Sequence, residues 1–186
     1  MIIAIDPSIA KPGWAVLRVP TGPIYLPQDV TALYVDSGQW GTEASDDPAS
    51  RLAYLAECCT KLCAEYPPTR AFVEEPAVSG LYGRNAGKAG ASTAIVGRHL
   101  GAMQRATGVF LAVLGAHCPT VTVKATNPLP AGSRRVQKGA GKLARRSVVA
   151  SYWPFLAERP EDEIDAIHLA LTTATDARRQ LWKVAA

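Results

Sequence analysis

Short apolar runs dominate the first forty residues and predict three β-strands. Residues 2–6 are apolar up to Asp6, and a turn rich in Pro and Gly separates them from a second run at 14–19. This short connection predicts a hairpin. Beyond a Pro- and Gly-containing stretch at 19–29, a third strand is predicted at 32–40. The pattern indicates three antiparallel strands.

Helices and strands alternate in the rest of the pattern. An acidic N-cap and a proline near Pro48 begin an amphipathic helix, which Pro67 ends. Residues 70–74 form a short apolar strand that ends in Glu74. Residues 89–116 predict one long helix, or two helices with a break near Thr107. A strand is predicted at 119–124, and two further helices at 142–152 and 161–175. The Gly-rich segments 77–88 and 127–142 are predicted loops.

The order of these elements favours one α/β domain over residues 1–186, because 186 residues suit a single core. A helix between two strands favours a crossover onto a parallel neighbour. We therefore expect a five-stranded mixed sheet with helices on its faces.

The charge distribution changes this picture more than the net charge of +4 does. No Asp or Glu occurs from Pro76 to Ala157, although this span carries many Lys and Arg residues. Pooled bases favour a polyanionic partner such as nucleic acid. The chain shows no apolar stretch long enough for a membrane span. Its start is typical of a strand and not of a signal peptide, so we expect a protein that works in the cytoplasm.

Four acids stand where they can converge. Asp6 and Glu74 end two strands, and parallel neighbours would bring them to one edge of the sheet. Asp162 and Asp165 are three residues apart and share a helix face. Such acids repel each other unless a cation lies among them, and carboxylate oxygens suit Mg²⁺ or Mn²⁺. Two ions would activate a water molecule for attack on a phosphodiester.

Three segments resemble the motifs of RuvC-type Holliday junction resolvases. They are Ile3–Ser8 with Gly13–Val16, Ala71–Glu75, and Asp162–Ala170. The resemblance implies an RNase H-like fold, a homodimer, a divalent-metal requirement and symmetric nicking of four-way DNA junctions. It also implies a bacterial cell or a phage-infected host as the setting.

The resemblance assigns site residues as well. It favours Glu74 over Glu75 as the catalytic glutamate, in agreement with strand alternation. It places Lys142 near the scissile phosphate. There this residue either stabilises the charge that develops on the phosphate during cleavage or only contacts a phosphate of the DNA backbone. His168 either assists the site or packs locally. Ser8 departs from the glycine found in many members of the family.

DNA contacts are expected in the basic half of the chain. Tyr82 is the candidate for the aromatic wedge of the family, with packing on its own domain as the other interpretation. Phosphate contacts are expected from these basic residues: Arg84, Lys88, Arg134, Arg135, Lys138, Lys142, Arg145 and Arg146.

Three other functions compete with junction resolution. An RNase H-like nuclease acting on other branched DNA or on RNA–DNA hybrids would share the fold and the metals. An actin-like ATPase or sugar kinase also opens with an apolar strand and Asp, but it normally needs two such domains. A DNA-binding module with a decayed site is disfavoured because all four acids are present.

Overall fold

A five-stranded mixed sheet forms the centre of the molecule. The structure, a computed structural model, describes residues 1–8, 10–19, 27–42, 47–76, 91–124 and 140–184. The strands are β1 (Ile2–Asp6), β2 (Gly13–Leu17), β3 (Tyr34–Gln39), β4 (Arg70–Glu75) and β5 (Thr120–Lys124). Their order is β3-β2-β1-β4-β5. The first three strands pair antiparallel, whereas β1, β4 and β5 pair parallel.

Helices cover both faces of this sheet. They are α1 (Pro27–Thr31), α2 (Pro48–Glu65), α3 (Ala91–Gly115), α4 (Ala140–Tyr152) and α5 (Glu161–Val184), with a 3-10 turn at Pro154–Leu156. The start of α2 shows the predicted capping, since the Asp47 carboxylate accepts from the backbone N–H groups of Ala49 and Ser50. None of the described helices is long and apolar enough to cross a membrane.

Strand alternation divides the apolar side chains between two cores. Ile3, Ile5 and Val73 pack with residues of α2 and α3 on one face. Ile2 and Ala4 pack on the other face with residues of α1, α4 and α5. The central strand β1 is buried on both faces, which explains its uninterrupted apolar sequence.

The predicted fold class is confirmed, and several element boundaries need correction. Residues 27–31 form helix α1 within a region predicted as an irregular approach to the third strand. Val30 and Leu33 are buried there, and the Trp153 indole donates to the Thr31 carbonyl at 3.1 Å. This anchor comes from a residue more than a hundred positions away, so local sequence does not reveal it.

Two helices also settle open points. Helix α3 is continuous through Thr107 and Gly108, so the single long helix is correct and the broken one is not. Helix α5 extends to Val184, beyond the predicted end at residue 175. The predicted loop at 77–88, and that at 127–142 as far as residue 139, lie outside the described residues.

Candidate active site

One row of residues crosses the sheet where β1 and β4 end. In the parallel register Ile5 pairs with Val73, so Asp6 and Glu74 occupy the next positions on neighbouring strands. Asp6 also pairs with Gly13, which in turn pairs with Gln39. The strand pairing therefore brings two distant acids together at one edge, as the sequence predicted.

Both acids of this row lie on the face that α5 covers. Asp6 follows the alternation of Ile2 and Ala4, which belong to the core shared with α5. Glu74 is partly buried, whereas Glu75 is exposed and alternates to the opposite side. The geometry agrees with the choice of Glu74 over Glu75.

Gly13 allows α5 to approach this edge closely. A Cβ atom built on Gly13 would lie 1.9 Å from the carbonyl oxygen of Asp162 and 2.7 Å from the nitrogen of Glu163. Only a residue without a side chain tolerates this approach. The first turn of α5 therefore rests directly on β2, beside the strand position of Asp6.

The four acids Asp6, Glu74, Asp162 and Asp165, called here the carboxylate cluster, influence one another electrostatically. Burial raises the pKa of Asp6 well above its ordinary value, and the charges of Glu74, Asp165 and Asp162 raise it further. This mutual effect requires the acids to be near each other in a poorly hydrated site. The structure thus brings together the four carboxylates that the sequence singled out.

The other three members of the carboxylate cluster show the same trend. Burial is the largest cause that raises the pKa values of Glu74, Asp162 and Asp165. The charge of Arg145 opposes this increase at Glu74 and Asp165, and the charge of Lys142 opposes it at Asp162. Two bases of α4 therefore offset part of the negative charge.

Arg145 enters the carboxylate cluster itself. Its Nη1 atom lies 2.9 Å from Oδ2 of Asp165, and the two side chains are only 11% and 7% exposed. Lys142, one helical turn earlier, pairs with Glu161 at 2.6 Å at a half-exposed position. Although partial burial would lower the pKa of Lys142, its hydrogen bond and charge interaction with Glu161 raise it.

The donor chemistry of the carboxylate cluster fits a hard divalent cation. Within the described part of the chain, Oδ1 of Asp165 is buried and has no hydrogen-bond partner. A buried carboxylate oxygen normally finds a donor, so this atom is open for a cation. Asp162 is less free, because Gln39 Nε2 donates to its Oδ2 at 3.2 Å.

The side chains nevertheless do not form a finished metal site. Over residues 1–8, 10–19, 27–42, 47–76, 91–124 and 140–184, no three His, Cys, Asp or Glu side chains are arranged to hold an ion. Oδ2 of Asp165 instead contacts Arg145, and Oδ2 of Asp162 accepts from Gln39.

His168 is buried one turn after Asp165. Burial, followed by the nearby charge of Arg145, lowers its pKa to about 4. The imidazole is therefore neutral at neutral pH. This environment is compatible with both interpretations of His168, as a local packing residue and as a neutral helper of the site.

Two predicted phosphate contacts are engaged elsewhere in the structure. Arg146 donates to the backbone carbonyls of Ala157 and Arg159, the latter at 3.1 Å, and so secures the connection between α4 and α5. Arg145 is buried against Asp165. Phosphate binding by these two residues would compete with these contacts, and it stays a prediction for both. The remaining predicted contacts, Tyr82, Arg84, Lys88, Arg134, Arg135 and Lys138, lie outside the described residues.

Sequence reasoning missed three contributors to this site. Gly13 was noted within a motif, but its close approach to α5 was not anticipated. Gln39 binds Asp162 and also donates to the Lys11 carbonyl at 3.1 Å. Arg145 had one detectable signal, since it lies three residues after Lys142 and shares its helix face.

Curated relatives match part of the chain. Crossover junction endodeoxyribonuclease RuvC from Rickettsia prowazekii is 30% identical over 79 residues, which cover 42% of this chain and 45% of the relative. The protein of the same name from Rickettsia felis is also 30% identical over 79 residues, or 46% of its length. The matched segment thus spans less than half of each relative. No family model matches the chain.

Solved structures match nearly the whole chain. RuvC of Thermus thermophilus has a TM-score of 0.63 at 18% identity, covering 96% of this chain and 95% of that one. The T. thermophilus RuvC structure with a Holliday junction substrate has a TM-score of 0.62 at 19% identity, covering 96% of this chain and 94% of that one. Fowlpox virus resolvase with Holliday junction DNA has a TM-score of 0.50 at 13% identity, covering 95% of this chain and 97% of that one. These likenesses establish the RNase H-like fold of RuvC, and the predicted resemblance is confirmed.

Proposed function

We propose that this chain is a metal-dependent endonuclease that resolves four-way DNA junctions by paired nicks. One observation carries the chemistry: four distant carboxylates meet at one sheet edge, with a buried oxygen of Asp165 left open. The choice of substrate is supported by the relatives named as crossover junction endodeoxyribonucleases and by the junction-bound structures with the same fold.

The carboxylate cluster would hold two Mg²⁺ or Mn²⁺ ions through Asp6, Glu74, Asp162 and Asp165. When bound, such ions supply Lewis acidity that activates the attacking water and stabilises the leaving oxygen of the phosphodiester. The raised pKa values of the four acids indicate a site that favours gaining positive charge. A divalent cation meets this demand without protonating the ligands.

Lys142 would act on the phosphate. Its ammonium group lies at the rim of the carboxylate cluster, pairs with Glu161 and is about half exposed. Exchange of the Glu161 carboxylate for a phosphate oxygen would stabilise the charge that develops during cleavage. The stretch without Asp or Glu, Pro76–Ala157, would bind the DNA backbone without reading sequence, through Tyr82 and the basic residues named above.

Paired nicks need two active sites, so we propose that a homodimer is the working form. A junction has two equivalent strands to cut, and a twofold-symmetric dimer presents one site to each. A nuclease acting on other branched DNA or on RNA–DNA hybrids remains the second candidate, because an RNase H-like carboxylate cluster would serve either substrate.

The decisive experiment uses a synthetic four-way junction labelled on each strand in turn, with and without Mg²⁺ or Mn²⁺. We expect metal-dependent nicks at symmetric positions on two strands. Asp6→Asn and Glu74→Gln should abolish cutting, while both variants retain junction binding in a gel-shift assay. Wild-type rates in both variants would contradict the proposed site. Equal rates on linear duplex would contradict junction resolution, and faster cutting of an RNA–DNA hybrid would favour the second candidate.

A further inference from the structure

We propose that Arg145 is an internal counter-ion of the carboxylate cluster and that a divalent cation displaces its guanidinium from Asp165 on binding. The inference rests on the proposed function insofar as the cluster is taken to bind such a cation. It assigns to Arg145 a role inside the carboxylate cluster that the sequence motifs do not assign.

The contact between Arg145 and Asp165 is a buried ion pair. The atoms Nη1 and Oδ2 lie 2.9 Å apart, and both side chains are almost fully enclosed. Removal of one partner from such a pair leaves an unpaired charge in a poorly hydrated place. The guanidinium therefore stabilises the charged form of Asp165 in protein that carries no cation.

The position of Arg145 also brings its charge close to the rest of the carboxylate cluster. Its partner Asp165 lies one helical turn after Asp162, and the backbone of Asp162 rests on Gly13, the strand neighbour of Asp6. A divalent cation bound by Asp165 would therefore take the place of a monovalent charge beside the same sheet edge.

The ion pair is only half satisfied. Among the described residues, Nε of Arg145 and Oδ1 of Asp165 are both buried without a hydrogen-bond partner. A parallel two-point contact, which is the strongest arrangement of guanidinium and carboxylate, would have used both oxygens. The pair is therefore suited to exchange, because the open Oδ1 offers a cation its first contact before Oδ2 is released.

Mn²⁺ binding provides a test that does not depend on cleavage. Free Mn²⁺ is measured by electron paramagnetic resonance during titration of wild-type protein, Arg145→Met and Arg146→Met. Arg146→Met is the matched control. It removes one positive charge at the neighbouring position, but Arg146 contacts backbone carbonyls and not Asp165. We expect Arg145→Met to bind Mn²⁺ at least about tenfold more tightly, because a repelling and competing cation is gone.

The control variant should keep the wild-type Mn²⁺ affinity within about twofold. Arg145→Met should also melt about 4 °C or more below the wild type in EDTA, and Mn²⁺ should reverse this loss. An unchanged or weaker Mn²⁺ affinity in Arg145→Met would overturn the proposal. So would an Asp165→Asn variant that binds Mn²⁺ as tightly as the wild type does.

A measurement on wild-type protein covers the case in which Arg145→Met does not fold. With ¹⁵N-labelled arginine, the Arg145 Nε–H resonance is assigned from its absence in Arg145→Lys. Saturating Mg²⁺ should shift this resonance and leave that of Arg51, on α2, in place. A resonance unmoved by saturating Mg²⁺ would overturn the proposal.

The junction assay separates this inference from the proposed function. Protein that exchanges Arg145 for Mn²⁺ but does not cut a junction would contradict the function and leave the counter-ion role intact. Protein that cuts with metal, while Arg145→Met binds Mn²⁺ no more tightly, would contradict the counter-ion role alone.

Discussion

Two buried acids lie two residues apart on α5 and differ in how their oxygens are satisfied. Oε1 of Glu163 accepts from the Ser37 hydroxyl at 2.7 Å and lies 3.8 Å from Nε of Arg159. Asp165 pairs with Arg145 through Oδ2, but its Oδ1 is an unpartnered buried atom in the described structure. The Glu163 side chain belongs to a hydrogen-bonded network with Ser37 and Tyr34, whereas the charge of Asp165 raises the pKa values of Asp6, Glu74 and Asp162.

Burial of an acid therefore does not by itself indicate a functional site. Glu163 is as buried as Asp165, yet its partners are a hydroxyl and an arginine at the edge. Asp165 shares its surroundings with Asp6, Glu74 and Asp162, so its charge is costly without a cation. Unsatisfied oxygens and neighbouring like charges distinguish the catalytic candidate from the structural acid.

Cleavage should separate the two acids most strongly. Asp165→Asn is expected to lower the junction nicking rate by roughly a thousandfold, because a charged ligand is lost. Glu163→Gln keeps the shape and an acceptor for Ser37, so its rate should stay within about threefold of the wild type. Single-turnover nicking of a labelled junction measures both. A similar loss in both variants would show that Glu163 is as important for cleavage as Asp165.

The close contact of α5 with β2 should be the next most sensitive feature. Gly13→Ala would force a Cβ atom against the Asp162 carbonyl, and we expect it to destabilise the fold by about 3 kcal/mol and to slow nicking. Gly108→Ala is the matched control, because this exposed position in α3 has open space for a Cβ. It should stabilise the fold by about 0.5 kcal/mol or more. Urea unfolding measures both changes, and equal stability of the two variants would contradict this role of Gly13.

Substitution of Glu163 and substitution of an acid in the carboxylate cluster should change the stability of the metal-free protein in opposite directions. Glu163→Ala removes a partner of the buried Ser37 and should cost about 1–2 kcal/mol of the free energy of unfolding. Asp6→Asn removes one of several repelling buried charges and should raise the melting temperature in EDTA. Thermal unfolding at neutral pH measures both. Destabilisation by Asp6→Asn would indicate that the carboxylate cluster is not strained.

The smallest expected effect is a pH dependence of that stability difference. The folded-state pKa of Asp6 is raised above its unfolded value of about 3.9. Stability from the protonated form is therefore present below that unfolded value and is lost as pH rises through the folded pKa. The advantage of Asp6→Asn over the wild type in EDTA should grow with pH across this window and shrink towards pH 4. A gap that is independent of pH would contradict the raised pKa.

Saturating Mg²⁺ should remove most of this gap, because an ion stabilises the charged carboxylates of the wild type. His168 does not confuse the measurement, although its lowered pKa gives the opposite slope below about pH 6.5. Both proteins contain His168, so its contribution cancels in the difference.

Much of the fold followed from local patterns. Apolar runs that end in Asp6 and Glu74, and helical spacing after Pro48, predicted strands and a helix that the structure contains. Helix α1 escaped prediction because its stability comes from Val30, Leu33 and their contact with Trp153. Long-range packing of this kind has no local periodicity.

The chain's own sequence determined the ligand types, their order and their placement at strand ends and on one helix face, since these follow from residue identity and from the periods of strand and helix. Tertiary structure alone decided that Gly13 admits α5 onto the sheet, that Gln39 holds Asp162, and that Arg145 enters the carboxylate cluster. These contacts join residues far apart in the chain. Their energies depend on burial and on neighbouring charges, which exist only after the elements have packed.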